Sequence, residues 1–312
     1  MLRTFALALL ALSNPGVARC GDRHESLNGP PVVTAKAWVI VDARTGASYA
    51  GESANAKRDM ASTTKVMTAL LVIEAIEKDA KVLDEEVTFS RRAAKTEGSS
   101  AKVAEGEKVL VRHLLYGLLL PSGNDAAAAF AEHFGTRTPA AKLAPKDLDP
   151  FALFVAEMNR RGQELGLTST AFANPHGLTS PTHKSTAADM AKLALVALQK
   201  PLFRKVVNTK EYSGPVKTAS GGERTATWKN TNLLLEFNDY YGVKTGTTSA
   251  AGSCLIAGGV HDGDDLLVVL LGSTSNESRY ADARNLFRWA WAERAKKGKP
   301  VSSDGLVPAI QR

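Results

Sequence analysis

Residues 62–76 read Ser-Thr-Thr-Lys-Val-Met-Thr-Ala-Leu-Leu-Val-Ile-Glu-Ala-Ile. The apolar side chains behind Ser62 are so dense that they would cover most of the surface of a helix. The stretch therefore predicts a helix that begins at Ser62 and lies buried in the middle of a domain. The rest of the fold has to be built around such a helix.

Ser62 and Lys65 form the first chemical motif, of the type SxxK. Residues three apart share a helix face, so the amine can reach the hydroxyl. At the helix N-terminus, free backbone N–H groups and the dipole favour developing negative charge. A lysine acts as a base only when it is partly neutral, a state that burial or a nearby second cation can produce. The pair predicts a serine nucleophile with a lysine base, although a serine that only caps a helix has the same appearance.

Two further motifs follow along the chain. Ser122-Gly123-Asn124 connects two predicted apolar helices, 111–120 and 124–134, and a tight turn there could project a hydroxyl and an amide into a cleft. Lys244-Thr245-Gly246-Thr247 lies on a predicted strand, where it could offer an ammonium, a hydroxyl and backbone N–H groups to an anionic substrate. Gly246 would let the substrate backbone approach closely. Taken singly, ordinary turn chemistry and an edge-strand lysine explain these motifs equally well.

The order and spacing of the three motifs are more specific than any one of them. About 60 residues separate SxxK from SxN, and about 120 separate SxN from KTG, an order that is the signature of penicillin-recognising serine enzymes. Two decoys do not fit this order. Ser99-Ser100-Ala101-Lys102 lies in a predicted solvated loop without an apolar helix behind it, and Ser26-Leu27-Asn28 precedes Ser62.

The predicted strands lie near the two ends of the chain and the predicted helices mostly between them. The strands are 38–41, 47–50, 242–247, 254–260 and 266–271, and the helices after the first three are 151–165, 187–199 and 280–296. Asp262-Gly263 marks a hairpin turn between the last two strands. We therefore predict an α/β (α+β) fold, with one central, mainly antiparallel sheet from both chain ends, flanking helices and an all-helical subregion.

The N-terminal residues predict export. Arg3 supplies a positive charge, residues 5–12 are apolar, and small residues precede Ala18, so residues 1–18 are typical of a secretory signal peptide. We expect a linker at 19–34, one catalytic domain at 35–296 and a loose tail at 297–312. Lipidation of Cys20 is an alternative that Arg19 disfavours. The protein is expected in the periplasm or associated with the cell wall, with Cys254 a buried free thiol.

Composition excludes several other classes. Hydrophobic residues make up 44% and charged residues 23%, as in ordinary globular proteins. The 39 basic and 32 acidic residues are scattered, which gives no nucleic-acid footprint. The sequence has no GxGxxG, Walker or GxSxG motif, no CxxC and no helical histidine pair. We expect no cofactor and no metal site.

Residues 35–291 resemble the D-alanyl-D-alanine carboxypeptidases of peptidase family S11, the low-molecular-mass penicillin-binding proteins. Besides the three motifs, four segments carry this resemblance: 117–127 (Gly-Leu-Leu-Leu-Pro-Ser-Gly-Asn-Asp-Ala-Ala), 172–178 (Phe-Ala-Asn-Pro-His-Gly-Leu), 230–232 (Asn-Thr-Asn) and 251–255 (Ala-Gly-Ser-Cys-Leu). The resemblance implies a β-lactamase/transpeptidase-like fold. It implies as partners a peptidoglycan stem peptide ending in D-Ala-D-Ala and β-lactams as covalent inhibitors.

The resemblance also implies roles for individual residues. Ser62 would attack the carbonyl of the terminal D-Ala-D-Ala bond, Lys65 would take its proton, and Ser122, with Lys244 adjacent, would relay a proton to the leaving amine. The backbone N–H groups of Ser62 and Thr247 would form the oxyanion hole. The remaining substrate contacts are implied for Asn124 (peptide chain), Lys244 and Thr245 (terminal carboxylate), Gly246 (close approach) and Arg279 (carboxylate). A solvated residue at the start of the last helix is the alternative reading of Arg279.

Several alternatives stay open at this stage. Many family members add a β-rich domain and an amphipathic anchoring helix that this sequence lacks, so we expect no stable membrane anchor. The motifs do not separate a carboxypeptidase from a D-alanyl-D-alanine endopeptidase, and a non-catalytic wall-binding or β-lactam-sensing protein and an esterase are further possibilities. A class A β-lactamase is disfavoured, because the second motif is Ser-Gly-Asn and Glu132, Glu157 and Glu164 lie in predicted helices.

Overall fold

The computed structural model describes residues 29–145 and 147–297. The predicted signal peptide, most of the predicted linker, Cys20 and the predicted tail from residue 298 onward lie outside the described residues. Within the described part of the chain, no helix combines the length and apolar character that crossing a bilayer requires.

The described residues form nine strands and eight α-helices. The strands are β1 (Ala37–Asp42), β2 (Ser48–Glu52), β3 (Glu86–Thr88), β4 (Lys108–Leu110), β5 (Glu211–Lys217), β6 (Glu223–Lys229), β7 (Tyr240–Thr248), β8 (Gly252–His261) and β9 (Asp264–Ser273). The helices are α1 (Lys65–Lys78), α2 (Arg91–Ala94), α3 (Val111–Leu119), α4 (Asn124–Phe134), α5 (Pro150–Glu164), α6 (Ala187–Leu198), α7 (Pro201–Val207) and α8 (Asn276–Lys296).

The main sheet has five strands in the order β2-β1-β9-β8-β7, and every neighbouring pair is antiparallel. This confirms the predicted central sheet built from both ends of the chain. Asp262 and Gly263 join β8 to β9, with φ angles of 48° and 76°. Two left-handed residues in a two-residue loop are typical of the hairpin turn that Asp-Gly favours.

Side chains of the main sheet alternate between two apolar clusters, one on each face. In β1, Val39 and Val41 belong to the larger cluster, which also contains most of the buried residues of α1, α3, α4 and α6. Trp38 and Ile40 belong to the smaller cluster, which α8 covers. The sheet is therefore enclosed between α8 and the group of helices that carries the first two motifs.

A second sheet of four strands, β3-β4-β5-β6, packs beside α3 and α4 and was not predicted. β3 and β4 have three residues each, too few to show a period. β5 contains Gly214 and Pro215, and β6 is largely polar and exposed. Such compositions are unusual for strands, so the sequence pattern concealed them.

Helix α1 begins later than predicted. Residues Ala61–Thr64 form a 3-10 turn, and the α-helix starts only at Lys65. Ala61 has a φ of 47°, a left-handed conformation that costs a non-glycine residue about 1–2 kcal/mol. As predicted, the helix is buried along most of its length.

Replacing Phe287 with alanine tests the packing of α8 on the sheet. Its side chain is fully buried, and its ring centroid lies 5.1 Å from that of Trp291. Phe287→Ala should lower the free energy of unfolding by about 3–5 kcal/mol, because apolar burial is lost and a cavity remains. Denaturant unfolding measures this. Asn285→Ala, at an exposed position of the same helix, should change stability by less than about 0.5 kcal/mol; equal losses would contradict the packing.

Candidate active site

Lys65 lies at the centre of the site. Its side chain is fully buried. Its Nζ donates to Ser62 Oγ at 2.8 Å, to Asn124 Oδ1 at 2.6 Å and to the backbone carbonyl of His176 at 2.6 Å. Ser62 is half-buried, and its Oγ lies 3.4 Å from the same carbonyl. The amine thus reaches the hydroxyl, as the three-residue spacing predicts.

Burial and a second lysine lower the pKa of Lys65. Loss of solvation is the largest cause, the charge of Lys244 acts in the same direction, and the Asp125 carboxylate opposes them, so the pKa lies well below 10.5. Lys244 is buried as well, and burial followed by repulsion from Arg279 lowers its pKa to about 7. Both amines therefore lose their protons at a lower pH than an exposed lysine does.

The turn between α3 and α4 brings the second motif to Lys65. Ser122 adopts a left-handed conformation with a φ of 66°, and its buried Oγ has no hydrogen-bond partner among the described residues. Asn124 begins α4 and is held on three sides. Its Oδ1 accepts from Lys65, its Nδ2 donates to Glu97 O at 2.6 Å, and its backbone N–H donates to Ser99 O at 2.7 Å.

The loop with the decoy SxxK sequence supports this turn. Asp125 is buried, and its carboxylate accepts from Ser100 Oγ at 2.7 Å and from Ala101 N at 2.8 Å. Ser99 and Lys102 are exposed, as the prediction of a solvated loop requires, but Ala101 is buried. The prediction was therefore wrong in part, because one side of this loop anchors the start of α4.

The third motif lies beside the nucleophile, on β7 at one edge of the main sheet. A Cβ added to Gly246 would lie 2.7 Å from Ser62 N and 3.0 Å from Ala61 Cβ. The strand therefore packs directly against the turn that carries Ser62, and only glycine permits this approach. Lys244 Nζ donates to the carbonyl oxygen of Thr245 at 2.9 Å.

Arg279 is buried at the start of α8, beside the third motif. Its Nη1 donates to Thr247 Oγ1 at 3.1 Å and its Nη2 to the Tyr280 hydroxyl at 3.1 Å, whereas its Nε has no partner among the described residues. The Tyr280 hydroxyl donates to Thr231 O at 2.6 Å, and the hydroxyls of Thr231 and Thr245 lie 2.7 Å apart. These contacts contradict the alternative of a solvated residue.

The structure thus brings the three motifs and Arg279 into one region. Sequence reasoning assigned no role to four residues found there: His176, Gly177, Thr231 and Tyr280. The first three lie in the segments 172–178 and 230–232, whose family resemblance was the only signal for them. His176 contributes a backbone carbonyl, which the residue type does not reveal.

The three glutamates considered for a β-lactamase are used elsewhere. Glu132 lies in α4, and Glu157 and Glu164 lie in α5, so the prediction that all three are helical is confirmed. Each has an arginine as its ion-pair partner. The partners are Arg92 for Glu132, Arg160 for Glu157, and Arg160 with Arg161 for Glu164.

Comparisons with known proteins agree on one family. Residues 24–275 match the family described as D-alanyl-D-alanine carboxypeptidase, peptidase S11. The D-alanyl-D-alanine carboxypeptidase of Streptomyces sp. (strain K15) is 35% identical over 266 residues, 84% of this chain and 89% of that protein. DacF of Bacillus subtilis (strain 168), also a D-alanyl-D-alanine carboxypeptidase, is 32% identical over 83% of this chain and 62% of its own length. The crystal structure of the Streptomyces K15 DD-transpeptidase has a TM-score of 0.76 at 34% identity, covering 85% of this chain and 99% of that one.

Gly177→Ala should disrupt the site through a backbone clash. Gly177 has a φ of 96°, and its Cβ would lie 2.0 Å from Ala61 O. No side-chain rotation relieves such an overlap, so we expect the free energy of unfolding to fall by more than about 3 kcal/mol. Gly166→Ala is the control, because its φ is 67° but none of the described residues beyond its chain neighbours comes within 4 Å of the added Cβ. This variant should lose only about 1–2 kcal/mol of stability. Equal losses in thermal or denaturant unfolding would contradict the close approach.

Proposed function

Because the chain belongs to the D-alanyl-D-alanine carboxypeptidase family, peptidase family S11, we propose that it is a serine-type D-Ala-D-Ala carboxypeptidase. It removes the terminal D-alanine from peptidoglycan stem pentapeptides through an acyl-enzyme on Ser62, and β-lactams acylate the same serine. One observation carries this assignment of the nucleophile. The buried Lys65 amine, with its lowered pKa, lies 2.8 Å from Ser62 Oγ.

In the first step Ser62 Oγ bonds to the carbonyl carbon of the penultimate D-alanine, and its proton passes to the neutral amine of Lys65. The charge that develops on the carbonyl oxygen would be stabilised by the backbone N–H groups of Ser62 and Thr247. Loss of one such donor typically costs about 10²–10³-fold in rate. The C–N bond then breaks, D-alanine leaves, and water hydrolyses the ester to release the shortened peptide and regenerate Ser62.

The leaving amine needs a proton, and we assign its delivery to Ser122, whose hydroxyl would in turn receive the proton that Lys65 took up in the first step. Its buried hydroxyl has no partner among the residues that the structure describes, and it lies in the turn that Asn124 attaches to Lys65. An unmet bond of this kind costs about 1–3 kcal/mol, and the leaving nitrogen would satisfy it. Lys244, with a pKa of about 7, would contribute positive charge and proton-donating capacity beside it.

The remaining residues would bind the substrate. Asn124 Oδ1 and Nδ2 each use one bonding position inside the protein, which leaves a lone pair and a hydrogen for the peptide chain. Thr245, Lys244 and Arg279 would bind the terminal carboxylate, for which a guanidinium is well suited. Gly246 would let the substrate strand lie close to β7.

The domain boundaries and the location belong to the same proposal. Residues 1–18 would direct export to the periplasm or cell wall, supported by Arg3 and the apolar residues 5–12. Residues 19–34 would be the linker, 35–296 the catalytic domain and 297–312 the tail. Thr34 is the last linker residue, and its Oγ1 donates a hydrogen bond to Asp282 Oδ2 of α8 at 2.7 Å. This bond would hold the end of the linker against the catalytic domain.

Benzylpenicillin should form one long-lived adduct on Ser62. Intact mass followed over time should show the adduct in the wild type and none in Ser62→Ala, because within residues 29–145 and 147–297 only the Ser62 hydroxyl is hydrogen-bonded to a buried lysine amine. Ser99→Ala, which changes the first serine of the decoy motif, should keep the adduct. The wild type should also release D-alanine from a pentapeptide ending in D-Ala-D-Ala.

Other outcomes of this experiment separate the alternatives. Rapid return to the free mass while the drug is consumed would indicate a β-lactamase. Faster cleavage of a cross-linked peptide than of the pentapeptide would indicate an endopeptidase. Absence of any adduct would refute the serine-lysine mechanism.

The pH dependence of acylation should follow the charges around Lys65. The rate rises with pH as Lys65 loses its proton, at a pH well below 10.5. Asp125→Asn removes the charge that raises this pKa, so the rising limb should move to lower pH. Lys244→Gln removes a charge that lowers the pKa of Lys65, so the rising limb should move to higher pH. The effect should be largest below about pH 7, where most of Lys244 is charged. Stopped-flow acylation across pH measures both, and shifts in the same direction would contradict the assignment of Lys65 as base.

A further inference from the structure

The proposed oxyanion hole depends on the peptide group between Ala61 and Ser62. Glycines cover this group on both sides, since a Cβ at Gly177 would lie 2.0 Å from Ala61 O and a Cβ at Gly246 would lie 2.7 Å from Ser62 N. Ala61 itself has a φ of 47°. Strain of this kind persists only where the surroundings fix the conformation.

A chain of side-chain hydrogen bonds ends at the carbonyl of this peptide group. Thr64 Oγ1 donates to Ala61 O at 2.7 Å and lies 2.7 Å from His183 Nε2. His183 Nδ1 accepts the backbone N–H of Ala173 at 2.9 Å. Because Nδ1 is an acceptor, the proton of the neutral ring belongs on Nε2, which donates to Thr64. All three hydrogen bonds of this series are therefore donated in the direction of Ala61 O.

The two side chains in this chain of bonds are shielded from solvent. Thr64 is 0% and His183 1% exposed. Burial, as the largest cause, lowers the pKa of His183 to about 4. The ring is therefore neutral near neutral pH, the form in which one nitrogen accepts and the other donates.

We propose that Thr64 and His183 are positioning residues that hold the 61–62 peptide so that the Ser62 N–H faces the developing oxyanion. A peptide group is planar, so fixing its carbonyl also fixes the N–H on the opposite side. The N–H cannot turn away without breaking the bond from Thr64 to Ala61 O. This inference rests on the proposed function, in which that N–H is an oxyanion donor.

Thr64→Val tests the inference, because it keeps the volume and removes the hydroxyl. We expect kcat for D-alanine release and the benzylpenicillin acylation rate to fall about 10–100-fold, less than the loss of a whole donor. KM for the pentapeptide should change by less than about threefold, since the interaction is made mainly in the transition state. A peptidyl boronic acid, whose tetrahedral adduct places an oxygen in the oxyanion hole, should lose affinity in parallel. Thr64→Ser should restore most of the rate.

Thr63→Val is a matched control. Thr63 is equally buried, and its Oγ1 donates to Met60 O at 2.6 Å, the same three-residue bond one peptide earlier. The N–H of that earlier peptide belongs to Ala61, not to the nucleophile. Benzylpenicillin should therefore acylate Thr63→Val at a rate within about threefold of that of the wild type.

His183→Phe interrupts the same chain one bond further away. In the double variant, its reduction of the acylation rate should not add to that of Thr64→Val, because both substitutions break the same series of hydrogen bonds. Additive losses, equal loss in Thr63→Val, a rise in KM alone, or unchanged acylation in a folded Thr64→Val would each overturn the inference. A wild-type protein that benzylpenicillin does not acylate would instead refute the proposed function.

Discussion

Three hydrogen bonds donated by the buried Lys65 amine determine how the site is assembled. Lys65 needs acceptors wherever its charge is removed from water, because an unpaired buried ammonium is very costly. The structure supplies one acceptor from the turn before α1, one from the start of α4 and one from the carbonyl of His176. These segments are far apart in the sequence and meet at a single atom. The buried amine therefore fixes the relative positions of the three segments that carry the chemistry.

Placing Lys244 near Lys65 adds a second constraint. Loss of solvation disfavours the charged form of both amines, and repulsion from Lys244 at Lys65 and from Arg279 at Lys244 adds to this effect on their pKa values. The opposing charge of Asp125 is already shared with Ser100 and Ala101, so it moderates this repulsion without removing it. The arrangement costs stability and provides a base that loses its proton at a lower pH than an exposed lysine does.

Much of this could be predicted from sequence, and the exceptions have physical reasons. The main sheet was predictable because its strands are apolar and Asp262-Gly263 marks a hairpin, whereas β3 and β4 are too short to show a period. The motifs predicted Ser62 and Lys65 because their spacing fixes a common helix face. The hydrogen bond between His183 and Thr64 was not predictable, because it joins residues 119 apart through tertiary packing alone.

Two of the groups proposed to act on the substrate have unmet hydrogen bonds, unlike several of the groups that hold the site. The holding groups, such as Thr64, His183 and Tyr280, have their polar atoms bonded inside the protein. Four side-chain atoms, Ser122 Oγ, Arg279 Nε, Arg58 Nε and Asn232 Nδ2, are buried without partners among the described residues, although most buried polar atoms in folded proteins are paired. The first two belong to groups proposed to act on the substrate. A bound peptide with a leaving amine and a terminal carboxylate offers partners of the kind that these two atoms lack. For Ser122 and Arg279, the unpaired state in the free protein is therefore a reason to place them at the substrate.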